Sequence, residues 1–128
     1  MNKIKTNENI WNRLYESRQN VLTFPAEPLV RYMHYLYKPG QVSSVKVLDF
    51  GFGSGNNFKF LSDFGFNMYG YEITEHARQI TLERLPSDFD PGRLVVAPAN
   101  TPLPFEKETF DCIIAWQVLN YNTYESLQ

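Results

Sequence analysis

With 128 residues, 43% of them hydrophobic and 16% aromatic, the chain is long enough for one domain with a substantial core and too apolar for global disorder. Twelve Lys and Arg against 14 Asp and Glu give a formal charge of −2 with both signs spread along the chain, so no basic field gathers nucleic acid or anionic lipid. A single cysteine, Cys112, cannot form an internal disulfide, no apolar run approaches the roughly 20 residues of a membrane helix, and MNKIKTNENI has no signal-peptide apolar segment; a cytoplasmic protein without a membrane partner is the expectation.

In NENIWNRLYESRQN (residues 7–20), Ile10, Trp11, Leu14 and Tyr15 make one apolar stripe on a short helix. Leu29, Val30, Met33, Leu36 and Tyr37 suggest a second helix, stopped by Pro39 and Gly40. The period then changes. SVKVLDF (44–50) is a β-branched run that reads as a buried strand, and Asn56 to Phe64, with Phe58, Leu61 and Phe64 on one face, reads as the helix after it. NMYGYEI (67–73) is a second strand. TEHARQITLERL (74–85) is a helix with Thr74 as N-cap and Ala77, Ile80 and Leu85 inward, ended by Pro86. RLVVA (93–97) is a third strand, PANTPLPFEKET a proline-punctuated loop, and FDCIIAWQVL (110–119) a fourth strand that finishes near residue 116.

Strands alternating with helices imply right-handed crossovers and a mostly parallel sheet, hence a Rossmann-like three-layer α/β sandwich. The expected organisation is one domain over 1–128, with a helical cap in 1–40 and the Rossmann-like core in 44–121. The sheet appears truncated after its fourth strand, with nothing evident to cover the edge beyond. The expectation is the front of a larger domain, its edge covered by a missing C-terminal half or by a second copy in a homodimer.

VKVLDFGFGSGNNF (45–58) carries the chemistry. In open α/β sheets ligands bind outside the carboxyl ends of the strands, and a first strand followed by a Gly-rich turn is the usual place. Gly51, Gly53 and Gly55 give G-x-G-x-G, with Asn56 where the dinucleotide fingerprint has its last glycine, and no Lys-Ser or Lys-Thr follows to make a P-loop. Asp49 at the strand end repels a phosphate and attracts a cationic amino group. Glu72, at the end of the second strand, can accept two hydrogen bonds from ribose hydroxyls. Together they describe a nucleoside with a cationic amino-acid tail; a tight strand-to-helix turn with no ligand is the bland alternative.

These residues resemble the class I S-adenosylmethionine-dependent methyltransferases. The match lies in VLDFGFGSG, in GYEIT, and in LPFEKETFDCIIAWQVLNY, in the family's order over roughly residues 45–121. The N-terminal helices are similar to the cap that many small-molecule methyltransferases carry. The resemblance implies S-adenosylmethionine as cofactor, its methionine part held by Asp49, Phe50 and the Gly51, Gly53 and Gly55 backbone. It implies Glu72 on the ribose, Ile73 against the adenine, and Trp116 and Gln117 near the reactive methyl. The family commonly has an acid before LPF to accept from the adenine amino group; here the loop reads APANTP, and Asn100 is the replacement candidate. Where relatives often carry a His after the fourth strand, this chain has Tyr121, so no general base is assigned.

In-line methyl transfer needs alignment and exclusion of water more than an acid or base, so His34, His76, Tyr15 and Tyr121 stand as catalytic candidates only. Both histidines read more simply as solvated or core-edge residues, Cys112 as core, and no spacing suggests a metal. Trp11, Tyr15 and Phe24 suit either a lid or plain core, with core favoured, and Tyr32, Tyr35 and Tyr37 read the same way. The leading function is a methyltransferase on a small-molecule acceptor. The alternatives are a non-catalytic module that binds S-adenosylmethionine or a partner, and a nicotinamide oxidoreductase, disfavoured by Asn56.

Overall fold

The structure, a computed structural model, describes residues 3–18, 21–116 and 118. Among these, four strands form one parallel sheet in the order β3-β2-β1-β4, with β1 at Lys46–Phe50, β2 at Asn67–Glu72, β3 at Leu94–Val96 and β4 at Cys112–Ile114. Helix α1 spans Lys3–Glu16, α2 Glu27–Leu36, α3 Asn56–Phe64 and α4 Glu75–Arg84. This is the Rossmann-like α/β order that the alternation of periods predicts. The chain steps outward from β1 to β2 to β3, then returns across the sheet to β4. Strand order therefore reverses between β1 and β4, and a crevice opens at their carboxyl ends.

β1 is central because it is apolar on both faces: Val47 and Leu48 are buried. Val47 and Met68 join Leu29 and Met33 of α2 and Phe58, Leu61 and Phe64 of α3 in the main core cluster. The other sheet face carries the connection to β4, where Phe105 and Phe110 pack edge-on against Tyr69. α1 docks on α4 through Tyr15, Ala77 and Ile80, with Trp11 and Val21 at the margin.

Three sequence expectations shift. The first helix begins earlier and ends at Glu16, because Arg18 takes a left-handed φ of 57°. β4 ends at Ile114 instead of near 116, its pairing confined to Val47–Asp49 of β1. Tyr32 and Tyr35 are not core: they are 59% and 84% exposed, while Tyr37 packs against the main cluster. Among the described residues no helix is long and apolar enough to cross a membrane.

Candidate functional site

β1 delivers Asp49 to the crevice with Gly70 of β2 on one side and Ile114 of β4 on the other. The carboxyl is 2% exposed, and its Oδ2 has no hydrogen-bond partner among the described residues. A buried, unpaired carboxylate oxygen is a costly feature of a fold unless something else satisfies it. Burial, aided by the charge of Glu72, pushes the Asp49 pKa up to about 7. Phe50 points to the opposite face and stacks on Tyr71.

The next turn is left-handed at Gly51, Gly53 and Gly55. An added Cβ would stand 2.5 Å from Val118 Cγ2 at Gly51, 2.6 Å from the Tyr15 hydroxyl at Gly53, and 2.7 Å from Thr81 Oγ1 and Cγ2 at Gly55. The glycines are thus required twice, by backbone conformation and by the protein's own atoms against them. Thr81 donates its buried hydroxyl to Gly53 O at 3.0 Å, and Ser54 Oγ accepts from Leu22 N–H at 2.9 Å. Residues from both flanking segments thereby hold the turn.

Glu72 ends β2 on the same sheet face as Asp49, since Asp49 sits opposite Gly70 and Glu72 follows by two. It is 8% exposed, and its Oε2 accepts from the N–H groups of Ile73 at 2.5 Å and Thr74 at 3.1 Å. Burial raises its pKa to about 7 against the pull of the Ile73, Thr74 and Gly53 backbone N–H groups. Two buried carboxylates therefore border one crevice. Tyr71, pushed up to about 12 by burial and then by Glu72 and Glu8, donates its hydroxyl to Ala97 O at 3.0 Å or Pro98 O at 3.1 Å. Half-buried Ile73 follows Glu72 at the rim.

α1 brings Tyr15, which its apolar stripe marks as core or lid, over Gly53, where it is 6% exposed. It also brings Glu8, which no spacing reveals: its Oε1 accepts from Ala99 N–H at 3.1 Å across 91 positions. No local motif marks Glu8, because it acts through a contact distant in sequence. Asn100 sits exposed on the turn closed by Thr101 N–H to Pro98 O.

Trp116, 36% exposed, closes the far end of an apolar groove of about 570 Å³ between β4 and α2, where Pro28, Leu29, Tyr32 and Met33 face it. Gln117 and Tyr121 lie outside the described residues. Phe24 is 82% exposed. His34 stands on the core edge, its Nδ1 2.9 Å from Val30 O and its ring edge-on to Phe64, and His76 is exposed. Cys112 is half-buried, and burial with nearby Asp111 raises its thiol pKa. Among the described residues no group of His, Cys, Asp and Glu could hold a metal.

Residues 15–122 match the family described as Methyltransferase domain. A solved structure described as an SAM-dependent methyltransferase from Anabaena variabilis ATCC 29413 is similar in fold, with a TM-score of 0.55 at 20% identity. The similarity covers 80% of this chain and 42% of that one, so the chain spans less than half the length of the protein it resembles. A comparison with curated proteins finds no match.

Proposed function

The chain belongs to the methyltransferase-domain family, and from that premise we propose that it binds S-adenosylmethionine across the ends of β1 and β2 for transfer of a methyl group to a small-molecule acceptor. The observation that carries this reading is Asp49 Oδ2, buried and without a partner among the described residues, beside the left-handed glycine turn. A cation is the partner such an oxygen lacks, and the ammonium of an amino-acid tail supplies both charge and N–H donors. Glu72 is the second support: three backbone donors leave part of its acceptor capacity for ribose hydroxyls, and Ile73 offers the base an apolar surface. Phe50 would act from behind, fixing the strand end through its stack on Tyr71.

S-adenosylmethionine, when bound, supplies a methyl group on a positively charged sulfur, open to displacement by a nucleophile in line. The chain's contribution is placement and dryness. The acceptor would enter over the end of β4, which adjoins Asp49 through the Asp49–Ile114 pairing. There the Trp116 groove is apolar and of a size that suits a small molecule. A dinucleotide fits less well, because Asp49 opposes a pyrophosphate at the glycine turn and Asn56, its Nδ2 engaged with Phe24 O at 3.0 Å, stands where the dinucleotide fingerprint has its last glycine.

Isothermal titration with S-adenosylmethionine, S-adenosylhomocysteine and NAD tests the reading. Binding of both sulfur nucleosides with no heat from NAD is expected. Binding of NAD alone would sink it.

A further inference from the structure

The strand ends form a row at the crevice: the glycine turn after β1, Glu72 at β2, and the 97–101 turn after β3. If the cofactor reading holds and a ribose rests on Glu72, the attached base has two directions open to it. Toward β1, the Tyr15 hydroxyl already lies over Gly53, and Asp49 awaits the cationic end. Toward β3, Ala97 N–H donates to Glu72 O at 3.1 Å, so the next turn begins directly beside the ribose position. Half-buried Ile73 lines that side, and Glu8 stands over it on the Ala99 N–H.

α1 is the right length for this. Seven residues separate Glu8 from Tyr15, about 10.5 Å of helix rise, and the β1 and β3 ends are two strand spacings or about 9.6 Å apart. The helix thus bridges from the Gly53 turn to the Ala99 turn. The Tyr71 phenol, part of the β2 end, feels the Glu8 charge, so that carboxylate lies within electrostatic reach of the carboxyl end of β2. One backbone N–H occupies one of a carboxylate's roughly four acceptor positions.

We propose that Glu8, on α1, accepts a hydrogen bond from the exocyclic amine of the bound base and so selects an aminopurine nucleoside over its deaminated counterpart. The Ala99 N–H is already spent on that carboxylate, so what the turn offers the base is the remaining acceptor positions of Glu8. Adenine's amine can donate to them; hypoxanthine carries a carbonyl oxygen at the same place, which a carboxylate repels. A carboxylate discriminates here as an amide cannot, because it only accepts. Exposed Asn100, able to donate as well as accept, lacks that power.

The test is titration of S-adenosylhomocysteine and S-inosylhomocysteine into the wild-type chain and into Glu8→Gln and Glu8→Ala. The wild type should prefer the adenosine compound by about tenfold or more, the scale of one charged hydrogen bond. Glu8→Ala should bring the two affinities within about twofold, and Glu8→Gln, which can keep the Ala99 contact, should fall between. Both ligands meet the same sample, so any loss of folded protein shifts them together and leaves the ratio intact. Equal wild-type affinities, or a wild-type ratio that survives in both variants, overturns the role of Glu8 alone. Wild-type protein that binds neither compound overturns the cofactor reading and this assignment with it.

Discussion

Asp49 and Glu72 are acids whose folded environment favours the neutral form, and that has a consequence with a definite sign. Their pKa values rise from 3.8 and 4.5 to about 7, chiefly through burial. Protons are held more tightly folded than unfolded, so the stability these groups contribute is fully present below about pH 4 and is lost as pH rises through about 7. Asp49→Asn, which removes the charge but keeps the shape, should raise the melting temperature of the ligand-free chain at pH 8 by a few degrees and leave it nearly unchanged at about pH 3.5, below the unfolded carboxyl's pKa. The same variant should lose tenfold or more in S-adenosylmethionine affinity, since a stabilising change at a binding site costs function. Thermal scans at the two pH values with a titration at pH 8 check both halves; an Asn variant less stable at pH 8 contradicts the account. At Gly55 the constraint is steric instead: a Cβ 2.7 Å from the Thr81 side chain on a φ of 82° should make Gly55→Ala destabilising by about 2 kcal/mol or more in denaturant titration.

α4 shows how an element carries the site. Thr74 Oγ1 accepts from Ala77 N–H at 3.1 Å, capping the helix directly after Glu72 and Ile73, and Thr81 one turn past Ala77 reaches Gly53 O. Thr74→Ala should cost about 1 kcal/mol in a urea unfolding curve, the usual worth of such a cap, with a loss of ligand affinity because the Glu72 carboxylate accepts from the backbone N–H of Thr74 itself, which the cap helps to hold in place. Unchanged stability would mean that the capping bond contributes nothing. Elements of this kind were legible in the sequence for local reasons. The helix over 56–64 follows from Phe58, Leu61 and Phe64 on one face between Gly55 and Gly65, and β1 from an apolar run that stops at an acid. Asp49 and Glu72 could be placed at strand ends by the same logic. α1 was displaced by several residues because its first turn, KIKT, carries little apolar signal, and its end is set by Arg18, whose left-handed turn no propensity announces. Glu8 was invisible for a deeper reason: its partner Ala99 is 91 positions away, and only the fold brings them together.

At the scale of the molecule, the sheet is built for more cover than the described residues provide. Parallel sheets are stable with both faces packed, yet among the described residues the helices cluster on the α3 and α4 side and β4 pairs with β1 alone. Ile113 shows the consequence: it shares its face with Leu48, its pairing partner, which is 1% exposed, but is itself 60% exposed. Near it, the apolar groove against α2 adds Tyr32 and Trp116 to the same edge. An open strand edge beside an apolar surface is a template for self-association. Sedimentation velocity over a range of concentrations should therefore show reversible self-association of the 128-residue chain, and Ile113→Lys, a charge on the edge strand, should weaken it several-fold. Because Ile113 points away from the face that carries Asp49 and Ile114, the affinity for S-adenosylhomocysteine should stay within about twofold of wild type, too small a change to report a lost hydrogen bond. A chain that is monomeric at every concentration would mean that the β4 edge is no docking surface for a second copy, and a Lys variant that loses ligand binding would tie that edge to the crevice.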